Sequence, residues 1–195
     1  MIDRAGSGET PVDTMSGAVN QALDGALAED SDVFLLGEDI EDPAGGVMKA
    51  TVGLSTKYGR ARVRSTPISE QAIVGAAIGA SLAGFRPVAE IMLMDFFAVC
   101  MDQVANHAAK LRYMSGGRTN VPITIRTAIG GGGQFGAQHS QSLEAWMMHI
   151  PGLKVIVPST PRDAKGLLYS AIFDDDPCIH MEERALLFTR GPVPA

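Results

Sequence analysis

Apolar residues recur with helical spacing at Val19, Leu23, Ala26 and Leu27, which predicts a helix over Thr14 to Glu29. Ser31-Asp32 breaks it. Val33 to Leu36 is then a short continuous apolar run ending at Gly37-Glu38-Asp39, the pattern of a strand buried on both faces of a parallel sheet. From Ile40 to Arg64 the periodicity is weak and glycine frequent, so a long loop is expected, with a short helix near Leu54 to Tyr58. Ser69 to Gly84 is made of Ala, Ile and Gly on nearly every side and predicts a helix buried all round. Four strands are expected further on, at Pro87 to Met94, Val121 to Ile129, Lys154 to Val157 and Cys178 to Met181. Phe96 to Met114 reads as one long helix. Thr160-Pro161-Arg162-Asp163 has an N-cap, a first-turn proline and an acid three residues on, which starts a helix running to Phe173.

Strands alternating with helices predict an α/β domain, a mostly parallel sheet with helices on both faces. Ligands of such sheets gather at the carboxyl ends of the strands. Three loops fall there: Gly37 to Asp39, Met94 to Phe97 and Gly130 to Gln141. The expected layout is a flexible tail over residues 1–13, one domain over 14–188, and a linker or truncated end over 189–195. Composition fits one domain: 195 residues with 46% hydrophobic content. The net charge of -6 is mixed along the chain, and no basic run argues for nucleic acid. No apolar stretch reaches the ~18 residues of a membrane span. Cys100 and Cys178 lie far apart in apolar segments, and a reduced, cytoplasmic protein is the simplest expectation.

The chemistry is carried by few residues. Gly131-x-Gly133-x-x-Gly136 has the spacing of a dinucleotide fingerprint, but the next strand, Lys154 to Val157, ends in Pro158-Ser159 and offers no acid for a ribose hydroxyl. The glycines let a loop bend; a plain surface loop reads the same way. His139, at the far side of that loop, suits proton transfer or charge stabilisation, and no nucleophile elbow supports a Ser140 nucleophile. A polar loop histidine is the bland alternative. Glu70 follows Ser69, a reasonable N-cap, and an acid in a first helical turn is favoured by the macrodipole by about 0.3–1 kcal/mol. Drawn into the edge of a buried helix, such a carboxylate can share a proton with a ligand nitrogen. Phe96 and Phe97 offer either a stacking platform or core packing. No His, Cys or acid cluster has the spacing of a zinc site.

Several stretches resemble one family in order from about Thr14 to Arg184: Thr66 to Glu70, Gly84 to Glu90, Asp102 to Lys110, Arg112 to Gly117, Gln138 to Gln141, and His149 to Ser159. It is the beta subunit of the decarboxylating component of 2-oxoacid dehydrogenase complexes, which includes pyruvate, branched-chain 2-oxoacid and acetoin dehydrogenases. The resemblance implies a transketolase-like, pyrimidine-binding domain of a thiamine diphosphate enzyme. It implies that Glu70 hydrogen-bonds the aminopyrimidine and promotes its imino tautomer. Phe96 would stack on the pyrimidine, Met92 would lie beside it, and His139 would face the reacting centre. A structural potassium ion is implied at Ile123, Ala171, Ile172, Asp174 and Asp176, largely through backbone carbonyls.

Nothing here resembles the Gly-Asp-Gly…Asn motif for magnesium and diphosphate, which the family carries on its alpha subunit. The implied partners are therefore an alpha subunit, a lipoyl acyltransferase core and a second copy of this chain. The implied reaction is oxidative decarboxylation of a 2-oxoacid with acyl transfer to lipoamide, with acetoin cleavage as a close variant. Family members carry a further carboxyl-terminal domain, and this sequence stops before it. A fragment, a stand-alone half and a non-catalytic assembly remnant all remain open on sequence grounds.

Overall fold

A computed structural model describes residues 10–194. The chain opens with β1 (Val12–Thr14) and α1 (Met15–Glu29), followed by β2 (Val33–Gly37), α2 (Leu54–Tyr58), β3 (Val63–Ser65) and α3 (Glu70–Leu82). Then come β4 (Arg86–Leu93), a 3-10 turn at Met94–Phe96, α4 (Phe97–Asp102), a π-helical stretch at Gln103–Ala108 and α5 (Ala109–Met114). The remainder is β5 (Thr124–Ile129), α6 (Glu144–Met148), β6 (Lys154–Ile156), α7 (Pro161–Ile172), β7 (Cys178–Glu183) and β8 (Arg190–Pro192).

Six strands form one parallel sheet in the order β3-β2-β4-β5-β7-β6. The alternation of apolar side chains sends Ala89, Ile91, Ile125 and Ile179 to one face, where α3 and α4 cover them with Val74, Ala77 and Phe97. Val33, Leu35 and Val88 point to the other face, where α1 and α7 supply Val19, Leu23, Ala164 and Leu168. At α7 the predicted start holds: Thr160 Oγ1 accepts from the Asp163 N–H at 3.1 Å, and Pro161 occupies the first turn.

The strand order also fixes where a ligand can sit. From β2 the chain turns outward to β3, whereas from β4 it runs the other way to β5. The crevice at the carboxyl ends of β2 and β4 is therefore the topological switch point.

Five expectations need correction. The helix over α3 is not buried all round: Ile73, Val74, Ala77 and Ile78 are covered, while Gln71, Ala72, Ala76, Gly79 and Leu82 face outward. Uniformly small residues carry no stripe that would mark the inner face. The helix over Phe96 to Met114 is not one regular element, because its middle widens into the π stretch where it packs against α3. The region from Ile40 to Arg64 contains a strand, β3, whose only buried residue is Val63, too little to make a period. Its loop is held by Asp42, whose carboxylate accepts from Thr56 Oγ1 and from the backbone of Gly53 and Thr56, bonds that hold its pKa well below the usual range.

The other two corrections concern the ends. Arg190–Pro192 is not a linker, and Val12-Asp13 is not loose tail: β1 and β8 pair antiparallel, Val12 against Pro192 and Thr14 against Arg190. The tail expected over residues 1–9 and the final Ala195 lie outside the described residues.

Candidate functional site

Glu70 is the first residue of α3, and α3 starts at the carboxyl edge of the sheet beside the switch point. Only 8% of it is exposed. Ser69 occupies the N-cap position, but its side chain makes no capping bond. Its backbone N–H instead faces the carboxylate of Glu38, the residue after β2. Glu38 is buried, and its Oε1 has no partner among the described residues. Burial raises the Glu38 pKa, and the neighbouring Glu70 charge raises it further. Two carboxylates with no cation between them thus face each other in the crevice.

The far wall of this pair is α4. Cys100 lies buried close enough to feel the Glu70 charge; burial first and that charge second push its thiol up to about 12. Such a thiol is a packing group and no nucleophile at neutral pH. Its Sγ lies 4.0 Å from the carbonyl of Phe96, one turn earlier. The Phe96 ring in turn meets the His139 ring edge-to-face, with centroids 5.3 Å apart. Phe97 is wholly buried and belongs to the core. Glu38 and Glu70 thus lie together at the crevice, Cys100 stands between Glu70 and the Phe96 carbonyl, and His139 meets the Phe96 ring. His139 reaches it because Gly130, at φ +85°, turns the chain off β5 into the glycine loop.

Comparison with known proteins agrees with this geometry. A family model described as the transketolase pyrimidine-binding domain matches residues 13–189. The chain belongs to that family. This pyrimidine-binding domain is 50% identical over 186 residues to the beta subunit of acetoin:2,6-dichlorophenolindophenol oxidoreductase from Cupriavidus necator, covering 91% of this chain and 55% of that one. It is 46% identical over 179 residues to the 2-oxoisovalerate dehydrogenase beta subunit of Bacillus subtilis, 91% of this chain and 54% of the relative. With the pyruvate dehydrogenase E1 component beta subunit of Gracilaria tenuistipitata it shares 47% identity over 180 residues, 92% and 55% of the two chains. The domain spans about half the length of these relatives. A solved split-gene transketolase, described as an inactive beta4 tetramer, superposes with a TM-score of 0.68 at 22% identity over 87% of this chain and 50% of that one, a likeness of fold.

Other residues singled out in the sequence fall elsewhere in the domain. Met92 lines a small cavity with Met48, Glu90, Arg126 and Glu182, and none of its neighbours there is Glu70, Phe96 or His139. Ile123, Ala171, Ile172, Asp174 and Asp176 do gather, but at the amino end of β5 and β7, away from the crevice. There the Ile123 carbonyl accepts from the Cys178 N–H at 3.0 Å and the Ala171 carbonyl from the Asp174 N–H at 3.2 Å. Lys154 Nζ bridges Asp174 and Asp176 at 2.7 and 3.2 Å, and Arg112 also pairs with Asp176. With both carboxylates answered by side-chain cations, a further ion would rest on carbonyls at the end of α7, where the helix dipole is negative. No group of three His, Cys, Asp or Glu among the described residues could hold a metal. No helix among them is long and apolar enough to cross a membrane.

Two features escaped the sequence reading. Glu38 sat in a loop marked for ligands but was not singled out, since one acid after a strand has no periodic signature. The second is a buried ion cluster under Gly46. Arg126 Nη1 donates to Glu90 at 2.8 Å, and its Nε and Nη2 donate to the two oxygens of Glu182 at 2.8 Å each. His180 Nδ1 lies 3.3 Å from Glu182. A Cβ on Gly46 would come within 2.9 Å of Glu90, so only glycine lets the loop close over the cluster. The available signal was a charged residue, Glu90, Arg126 or Glu182, inside each of three buried strands.

Proposed function

We propose that this domain supplies the pyrimidine-side half of a thiamine diphosphate site in a 2-oxoacid dehydrogenase, acting with an alpha subunit that brings magnesium and the diphosphate-binding half. The observation that carries the reading is Glu70: a buried carboxylate at the switch-point crevice with no cationic partner among the described residues, linked through Cys100 to the Phe96 and His139 rings. Bound thiamine diphosphate supplies the electron sink for decarboxylation. Glu70 holds a proton on the ring nitrogen of the aminopyrimidine. Phe96 offers a stacking face, and His139 serves as the proton carrier on the substrate side, with acyl transfer to a lipoyl group as the following step. Met92 would act from behind the strand by setting the floor of the crevice.

The relatives support an alpha partner, as does the outward face of α3, whose Ala72, Ala76 and Gly79 allow close helix approach. An acyltransferase core and a second copy of the chain complete the proposed assembly. Potassium fits the α7 corner only as a carbonyl-held ion. A reducing, cytoplasmic compartment fits the two free buried thiols, Cys100 and Cys178. Acetoin is the second reading for substrate, supported by the 50% identity to an acetoin oxidoreductase subunit.

The test is co-purification with a matching alpha subunit, followed by thiamine diphosphate binding and turnover of pyruvate, branched-chain 2-oxoacids and acetoin. Turnover is expected only with the partner, and Glu70→Gln abolishes it with the fold intact. Turnover by this chain alone would overturn the shared site.

A further inference from the structure

We propose that Asp95 is a positioning residue that clamps the His139 loop against the end of β4. The proposal rests on the thiamine reading above for the role of His139, and on geometry alone for the clamp. The loop has little else to hold it. Residues 131–138 are all exposed, and the backbone bonds around it are few: Gly130 N–H to the Gln141 carbonyl at 3.1 Å and His139 N–H to the Gly136 carbonyl at 3.3 Å. Arg184 also donates to the Gly130 carbonyl at the loop's foot.

Asp95 adds the cross-link between the two active loops. Its Oδ1 accepts from the Gln141 Nε2 at 2.8 Å and from the Gln141 backbone N–H at 3.3 Å. Gln141 is two residues beyond His139, and Asp95 is one residue before Phe96, the ring that His139 meets edge-on. The clamp thus joins the same two segments whose rings must meet in the crevice. A hydrogen bond to a charged acceptor is among the stronger kinds, and it falls where a glycine-rich loop needs one. Asp95 has no ion-pair partner among the described residues to compete for its carboxylate.

The bond has a donor side and an acceptor side, so it can be reversed. Asp95→Ala removes the acceptor. Gln141→Glu sets two carboxylates against each other. Asp95→Asn combined with Gln141→Glu restores a bond of opposite polarity, the new amide donating to the new carboxylate, while the backbone bond to residue 141 is kept. Each variant is assembled with the alpha subunit and measured by deuterium exchange over residues 130–141 and by steady-state kinetics. In Asp95→Ala and Gln141→Glu the hydrogen-bonded amides at the loop's ends, Gly130, His139 and residue 141, exchange about tenfold faster. Their kcat falls about tenfold, with KM and the thiamine diphosphate Kd unchanged, because orientation at the reacting centre is lost and binding is not. The reversed pair recovers most of both. Unchanged exchange in Asp95→Ala, a loosened loop with unchanged kcat, or a reversed pair as impaired as Gln141→Glu would each overturn the proposal. Glu70→Gln turning over like wild type would instead strike the thiamine reading, and the exchange data would still decide the clamp.

Discussion

Two sets of buried acids, one on β4 and β7 and one just after β2 and at the start of α3, are treated in opposite ways. Glu90 and Glu182 share the guanidinium of Arg126, itself only 3% exposed, and between them take three of its hydrogen bonds. Burial would drive the Glu182 pKa up, but Arg126 and His180 together outweigh it and hold that carboxyl below the usual range. Glu90 has only one bond to the same arginine, and burial wins there, raising its pKa. Glu38 follows Gly37, which stands directly beside Glu90 in the sheet, yet among the described residues Glu38 and Glu70 have no cationic partner. The Arg126 set lies deeper than Glu38, yet it is the set with a counter-charge, so depth alone does not account for the difference. A cluster that satisfies itself holds strands together. A pair left unsatisfied at the open end of a sheet stores an unfavourable charge that a ligand's proton can relieve.

The largest effect that tests this contrast is functional: Glu70→Gln in the assembled enzyme removes turnover, while its melting temperature is unchanged or slightly higher, since a like charge beside Glu38 has gone. A stability loss as large as that of a core mutant would mean that Glu70 belongs with the structural acids. Next in size, Arg126→Met leaves two buried carboxylates uncompensated and should cost about 3–5 kcal/mol by urea unfolding. A loss under ~1 kcal/mol would place the cluster in the same class as the crevice pair.

The pH dependence separates the two sets more finely. A carboxyl whose folded pKa is raised binds its proton more tightly in the folded state, so stability falls as pH rises from its ordinary value near 4.5 through the raised one. Glu38→Gln should flatten that decline in a melting series above pH 4.5. A steeper decline in the variant would reverse the sign and with it the account of the pair. The smallest expected effect is a calibration. Thr160→Ala at the start of α7 loses one cap and about 1 kcal/mol, far from both sets, with turnover and the pH slope unmoved.

Much of this architecture is legible in the sequence wherever an apolar period or a cap speaks locally. Val33 to Gly37 and the Thr160-Pro161 helix start are examples, and alternating strands and helices point to the parallel sheet. Features set by partners distant in sequence are not legible in the same way. Val63 becomes a strand because β2 offers it an edge, and Arg190–Pro192 because Val12–Thr14 is there to pair with. The site divides similarly. Glu70, Phe96 and His139 are visible through the motifs around them; the structure joins Phe96 to His139 directly and Glu70 to them only through Cys100. Glu38 and the Asp95–Gln141 clamp depend on which loop tips the fold brings together, which no spacing along the chain records. The exposed side of α3 was misread for a related reason: composition says that a helix is apolar, and only neighbours decide which sides are covered.

The antiparallel pairing of β1 with β8 has a consequence for how the domain is carried. Val12 and Pro192 lie side by side, so the chain enters and leaves through a single two-stranded neck. The neck stands at the carboxyl edge of the sheet, since α1 runs from it down to the amino end of β2 and β7 runs up toward it. The ladder ties the first and last described strands to each other on the crevice's own edge, and a pull on either strand is borne first by three paired residues and only then by the core.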